Sequence, residues 1–210
     1  RRQRQMCIRD RNRFTGDEFV VKSRCVISML LAKLDIINAE LSMKYDRNII
    51  VQTSGRIKAP ESIRAKLRKK GYEETYDMAQ EKINDIVGVR AVCSFMDDLY
   101  LVAKALEQHR DVRTVKVKDY LQEPKRSGYR SLHLIVEVPI YFQGEELWRR
   151  AEIQLRTAAM DFWAGLDHQL IYKRGLKEAK LIGQELYEYA QIVEELDQKM
   201  VELRDRIAAI

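Results

Sequence analysis

The 210-residue sequence predicts an α+β fold: a mixed β-sheet core flanked by N- and C-terminal helices. Three observations carry that prediction. Apolar residues step by three and four near both ends of the chain, as on one face of a helix. Between those ends, short runs rich in valine and isoleucine replace the helical period. Strands and helices do not alternate strictly there, because three strands follow one another, which argues against an all-parallel sheet.

Thr15-Gly16-Asp17-Glu18 has the spacing of a capping box, with the threonine oxygen set to accept from the Glu18 amide. The helix it opens carries Ile27, Leu30, Leu34, Ile37 and Leu41 on its apolar face. Asn48 to Lys58 begins as a strand, and Pro60 suits the first turn of a short helix running through Lys70. Asp85 to Phe95, DIVGVRAVCSF, reads as a buried strand, followed by a helix from Asp97 to Gln108. Val112 to Lys118 alternates like a half-exposed strand. Ser131 to Pro139 is another, and Gln143-Gly144-Glu145 turns it into a strand from Leu147 to Leu155. Thr157 then opens a helix through Leu170.

At the end, Leu186, Tyr189, Val193, Leu196, Met200, Leu203, Ile207 and Ile210 step 3-4-3-4-3-4-3, a heptad seam. Such a stripe packs more often on its own domain than on a partner. Two striped helices beside one core nevertheless raise homo-oligomerisation through the terminal helices. The seam runs to the last residue, so further C-terminal sequence is expected.

Composition bounds the function. With 46% hydrophobic residues the chain can bury one ordinary core. No apolar run approaches the roughly 20 residues that span a bilayer, and no signal peptide is visible, so no membrane role is expected. Cys25 and Cys93 stand singly in apolar surroundings, without metal or disulfide spacing. That pattern implies small core residues in a reducing cytoplasm. The formal charge of +6 is concentrated: the first eleven residues hold five arginines and one aspartate, leaving +2 on the rest. Within them Gln5 to Arg11, with Cys7, resembles the translation of a transposon-end adapter. Residues 1–13 are therefore expected to be a non-native or disordered basic segment. A helical flank at 14–47, a core at 48–175 and an amphipathic helix at 176–210 complete the organisation.

Four stretches carry chemistry. Ala151-Glu152-Ile153-Gln154-Leu155-Arg156 puts Glu152, Gln154 and Arg156 on one strand face and Ile153 and Leu155 towards the core. Alone, that is one wet face of an ordinary antiparallel strand. Asp85 stands at the mouth of an apolar run, where it is either a strand-entrance cap or a hard oxygen ligand. Two carboxylates on different strands, with substrate phosphates, would suit Mg²⁺. From Arg56 to Lys70 there are seven cations against the single acid Glu61. Such density is self-repelling unless anions lie nearby, and a triphosphate is the obvious one. No Gly-x-x-x-x-Gly-Lys-Ser/Thr loop occurs, which excludes a P-loop enzyme. Finally, Lys125 to His133, KRSGYRSLH, sets cations, a phenol ring and an imidazole around one glycine. A simple reversal of the chain needs far less.

RIKAPESIRAKLRKK, NDIVGVRAV, KVKDYLQEPKRSGYRSLH and AEIQLRT, in this order, resemble the synthetase domain of the RelA/SpoT family of alarmone synthetases. The likeness covers about Asn48 to Lys173 and is greatest to the small type, without hydrolase or regulatory domains. It implies a nucleotidyltransferase-like α+β core and transfer of the β,γ-pyrophosphate of ATP to the 3′-hydroxyl of GDP or GTP. The products would be (p)ppGpp and AMP, in the stringent response.

The resemblance also implies residue roles. Arg56 and Arg90 sandwich the adenine, since guanidinium planes stack on aromatic faces. Lys58, Ser62, Lys66 and Lys69 hold the ATP phosphates. Asp85 and Glu152 bind Mg²⁺, and Glu152 takes the proton of the 3′-hydroxyl. Tyr129 stacks on guanine, Gly128 supplies close approach or a positive φ, and Lys125, His133 and Gln154 meet the acceptor. Lys116-Val117-Lys118-Asp119 resembles the basic subtype associated with one Mg²⁺. Asp161 departs from the asparagine common in small synthetases and adds an anion near the acceptor phosphates, while His168 is expected to be structural. Tetramers, and control by RNA or (p)ppGpp, are further family associations.

Two rivals stand beside this reading. A toxin-type relative would modify the 3′ end of tRNA or an adenosine nucleotide. A decayed scaffold would only bind nucleotide or RNA, yet its expected first losses, Asp85, Glu152, Arg56 and Lys66, are all present.

Overall fold

In the computed structural model, residues 16–171 and 176–210 are described. The segment 1–13, Cys7 and Thr15 lie outside them, as does the side chain of His168.

Helix α1 (Asp17–Tyr45) leads into β1 (Ile50–Ile57), α2 (Pro60–Lys69), α3 (Tyr76–Lys82) and β2 (Val87–Cys93). After α4 (Asp98–Glu107) come β3 (Arg113–Asp119), β4 (Leu132–Phe142) and β5 (Glu145–Thr157), then α5 (Ala158–Ile171) and α6 (Leu176–Ala208). The strands form one sheet in the order β1-β2-β5-β4-β3. Only β2 and β5 run parallel, and the other neighbours are antiparallel, so the expected mixed sheet is present.

Alternation along the strands separates the faces. Val89, Ala91, Cys93, Leu134, Val136, Ile153 and Leu155 pack with Val26, Leu30 and Leu34 of α1 and Leu99, Val102 and Leu106 of α4. The opposite face of β2, β4 and β5 offers Arg90, His133, Glu152, Gln154 and Arg156. Gly55 lets α1 approach, because a Cβ built there would lie 2.2 Å from Ile27 Cγ2. A second cluster, with Phe19, Ile63, Leu67, Ala79, Ile83 and Ile86, seats α2 and α3 beside β1.

Several expectations are refined. The buried face of α1 runs Phe19, Ser23, Val26, Leu30, Leu34 and Ile37, with Ile27 and Leu41 only partly buried at its margin. Its N-cap is Gly16, which makes no side-chain cap bond. Pro139 does not end β4; it pairs with Trp148 inside the strand. Pairing with β3 stops at Glu137, so β4 is locally an edge there and tolerates a residue without an N–H. Gln143 and Gly144 both have positive φ, 53° and 84°, the geometry of a two-residue hairpin turn. Helix α3 was not anticipated, although Thr75 caps it by accepting from the Met78 amide at 3.3 Å.

The C-terminal seam splits. Leu186, Ala190 and Asp197 are buried against the domain, whereas Tyr189, Leu196, Met200, Leu203, Ile207 and Ile210 are exposed. The end of α6 is tied down by charge. Arg204 pairs with Asp97 at 2.8 Å, Arg47 pairs with the buried Asp98, and both guanidiniums lie over the Phe95 ring, at 4.8 and 4.9 Å.

Candidate active site

The polar face of the sheet floors an open cleft of about 740 Å³. Helix α2 and Asp85 stand on one side of it, the loop before β4 on another, and α5 closes a third.

Strand pairing sets the floor. Gly88 and Glu152 are partners across β2 and β5, as are Arg90 and Gln154, while His133 of β4 pairs with Gln154. Arg56 of β1 lies opposite Gly88, and a Cβ there would sit 3.5 Å from the Arg56 side chain. That is ordinary van der Waals contact, so the Arg56 stem lies directly over Gly88.

Asp85, just before β2, accepts from Lys66 at 2.8 Å and Lys58 at 3.0 Å. Burial opposes its charge, but the hydrogen bonds from Lys66 and then Lys58 outweigh it and hold the carboxyl below its ordinary value. One end of the cleft thus carries an ionised acid between two ammonium groups.

The other end is a hydrogen-bonded chain. Tyr129 Oη accepts from Arg156 Nη2 at 2.7 Å and from the Ser131 hydroxyl at 3.0 Å. Its own proton is therefore free for His133 Nε2, 2.9 Å away. That assigns the imidazole proton to Nδ1, which donates to Glu152 Oε1 at 3.1 Å. Burial is the largest influence on His133 and lowers its pKa despite the carboxylate, so the ring is neutral near pH 7. Glu152 also accepts from Gln154 Nε2 at 2.9 Å and Lys118 at 3.2 Å. Burial resists its ionisation, yet these donors keep the carboxyl well below the usual range. Because the imidazole is neutral, it contributes here as an N–H donor rather than a full charge.

The loop that supplies Tyr129 is built to hold it. The Gly128 amide donates to the Lys125 carbonyl at 2.8 Å, closing a turn, and Gly128 has φ +86°. A Cβ there would lie 2.5 Å from Ala190 Cβ, so the close approach served by this glycine is to α6. Arg130 leaves the cleft to pair with Glu194 of α6 and to donate to the Leu121 carbonyl. Lys125 stays, its ammonium 4.4 Å from the Tyr129 ring centroid and 4.6 Å from that of Tyr120. Burial, above all, pulls its pKa down.

Of the residues singled out from sequence, Arg56, Lys66, Asp85, Arg90, Lys125, Tyr129, His133, Glu152 and Gln154 line this one cleft. Lys58 joins through Asp85. Ser62 and Lys69, both exposed, lie outside the lining, in the first and last turns of α2. Lys118, Tyr120 and Arg156 line it too and were not assigned roles. Period two already put Arg156 beside Gln154, whereas nothing in the sequence singled out Tyr120. Among the described residues no group of three or more His, Cys, Asp or Glu side chains gathers as a metal cage. Two ionised carboxylates, Asp85 and Glu152, do line the one cleft, and hard oxygen donors of this kind are chemically compatible with Mg²⁺ shared with substrate phosphates.

Comparison with known proteins bears on the family and the fold. The family pattern described as "Region found in RelA / SpoT proteins" matches residues 55–177. GTP pyrophosphokinase YwaC of Bacillus subtilis (strain 168) is 45% identical over 181 residues, covering 86% of this chain and 86% of that protein. The crystal structure of small alarmone synthetase 2 from B. subtilis has a TM-score of 0.79 at 42% identity, covering 91% of this chain and 99% of that one. Small alarmone synthetase 1 from B. subtilis, bound to its product pppGpp, has a TM-score of 0.83 at 32% identity, covering 92% and 98%. The matched span includes both acids and the loop that carries Tyr129, and on this footing the chain belongs to the RelA/SpoT family.

Proposed function

We propose that the chain is an ATP:GTP/GDP 3′-diphosphotransferase that moves the β,γ-pyrophosphoryl group of ATP to the ribose 3′-hydroxyl of GDP or GTP. The products are (p)ppGpp and AMP. The named activities of its relatives support this, as does the product held by the similar synthetase. The observation that carries it is the single cleft in which ionised Asp85 sits among donor-side lysines and ionised Glu152 ends the Tyr129–His133 chain.

In this reading Arg56 and Arg90 bind adenine, Lys58 and Lys66 meet the donor phosphates, and Ser62 and Lys69 reach them from the ends of α2. Tyr129 offers guanine a ring face, while Lys125, His133 and Gln154 position the acceptor. The acceptor oxygen attacks the β-phosphorus, the new O–P bond replaces the α,β-bridging bond, and AMP leaves. The hydroxyl proton passes to Glu152. Mg²⁺, held by Asp85, Glu152 and phosphate oxygens, would neutralise charge on the transferred group. Positioning and charge neutralisation suffice, and no covalent intermediate on the protein is needed.

Use of ATP and GTP or GDP, together with bacterial relatives, supports a bacterial cytoplasm as the site of action. The exposed stripe of Tyr189, Leu196, Leu203 and Ile207 on α6 would pair with a second copy, which sedimentation equilibrium in the analytical ultracentrifuge measures directly as mass. RNA or (p)ppGpp added to the reaction tests regulation. For the activity itself, ATP labelled in its terminal phosphates is incubated with GDP, GTP, ADP and tRNA separately. Label should appear in ppGpp and pppGpp. Label on tRNA or the adenosine nucleotide alone favours the toxin-type reaction, and nucleotide binding without transfer favours the non-catalytic regulator.

A further inference from the structure

Asp161, in the first turn of α5, holds two arginines with one oxygen. Its Oδ1 lies 2.9 Å from Arg156 Nη1 and 3.0 Å from Arg90 Nη1. These cations come from adjacent parallel strands, where Arg90 is paired with Gln154 and Val92 with Arg156. They share the cleft face, two residues out of step, and repel one another without an anion between them. From this hub Arg156 continues to Tyr129 Oη and to Gln154 Oε1, at 2.7 and 2.8 Å. One carboxylate therefore touches a donor-side guanidinium and a guanidinium that holds the acceptor-side ring.

The backbone fixes where that carboxylate stands. Thr157 ends β5, its hydroxyl accepts from the Met160 amide at 3.1 Å and donates to the buried Asp197 of α6 at 2.7 Å. The turn that brings Asp161 back over the sheet is thus pinned at both ends. Both arginines also have a buried Nε without a hydrogen-bond partner. Their planes are consequently oriented from the Nη end, where Asp161 is.

We infer that Asp161 is a positioning residue that sets Arg90 and Arg156 in a common register and thereby couples the donor and acceptor halves of the cleft. This rests on the proposed function. It also accounts for the extra anion that the sequence placed near acceptor phosphates: its charge is taken up by the arginine pair. An acid in the first turn of a helix also stabilises that helix end, and the test must separate the two roles.

The full chain is compared with Asp161→Ala, Asp161→Asn, Arg90→Ala, Arg156→Ala and the doubles of Asp161→Ala with each arginine variant. Calorimetry reads binding of a non-hydrolysable ATP analogue and of GDP, with thermal unfolding alongside. Asp161→Ala should weaken both ligands about tenfold, within the range of interaction energies between residues in contact. Asp161→Asn, which keeps an acceptor oxygen, should recover most of the loss. In the Arg90→Ala background the loss for the ATP analogue should vanish while that for GDP persists. In the Arg156→Ala background the reverse should hold. Affinities within about twofold of the parent with only a lowered Tm, or losses that simply add in the doubles, overturn the role. A parent that binds both nucleotides without joining them refutes the proposed reaction, and the binding data still decide Asp161. A parent that binds neither overturns both.

Discussion

Tyr129 does two separable jobs, and Tyr129→Phe removes one of them. The hydroxyl donates to His133 Nε2 and accepts from Arg156 and Ser131. Phenylalanine strips a partner from an imidazole nitrogen in a residue only 5% exposed and from the hydroxyl of the buried Ser131. Arg156 Nη2 keeps Gln154 Oε1, so its loss is smaller. Leaving one buried polar atom unsatisfied costs about 1–3 kcal/mol, and rotation of the serine hydroxyl limits the second term, so about 2–3 kcal/mol is expected. For a chain of this size that lowers Tm by about 4–12 °C. The ring face survives in phenylalanine and is lost only in Tyr129→Ala. Stacking of a base on it is worth about 1–3 kcal/mol, or about 5- to 150-fold in affinity. Thermal unfolding and GDP titration of both variants are the assays. Tyr129→Phe should unfold earlier and lose less GDP affinity than Tyr129→Ala, because it gives up the Arg156 contact but keeps the ring face, and Tyr129→Ala should be impaired in both. An unchanged Tm in the phenylalanine variant, or equal loss of GDP affinity in the two, would show that hydroxyl and ring face do not act separately.

Other consequences follow from the same geometry. Glu152→Gln should retain ATP binding in a titration while turnover falls by about 10²–10⁴, the usual reach of general-base catalysis. Gly128→Ala forces φ +86° on a side chain that meets Ala190, so it should cost at least about 1–3 kcal/mol in chemical denaturation. Gly144→Asn, at φ +84° in open space, should be close to neutral. Stability should fall on acidification. His133 has a lowered folded pKa, so its contribution is complete above the ordinary value near 6.5 and is lost as pH falls from there through the lower folded value. Asp85 and Glu152, also lowered, add losses as pH drops below about 4. Denaturation at pH 7.5 and pH 5.5 should show the first loss in the parent and a flatter response in His133→Asn.

Much of this was legible in the sequence because period and spacing are local properties. Strand alternation put Glu152, Gln154 and Arg156 on one face, and the Gln143-Gly144 turn fixed the hairpin that brings His133 beside Gln154. Helix α3 escaped because it is short and buries only Ala79 of its own residues. The seam on α6 could be counted but not partnered: which edge packs depends on Trp163, whose indole donates to the Leu186 carbonyl at 2.8 Å. Site partners were least visible where they arrive from distant elements. Lys118 reaches Glu152 across the sheet, and Asp161 reaches Arg90 from a helix that begins after β5. The loop glycine was foreseen, but its neighbour was not, since contact between Gly128 and Ala190 is set by how α6 docks.

The proposed reaction is defined by the bond it breaks, the one between the α- and β-phosphates of ATP. Phosphorus NMR of the full chain with ATP, GDP and Mg²⁺ follows every phosphate at once. One AMP for each 3′-pyrophosphorylated guanosine nucleotide is the predicted result. ADP and a singly phosphorylated acceptor, or AMP and free pyrophosphate with GDP untouched, would contradict it.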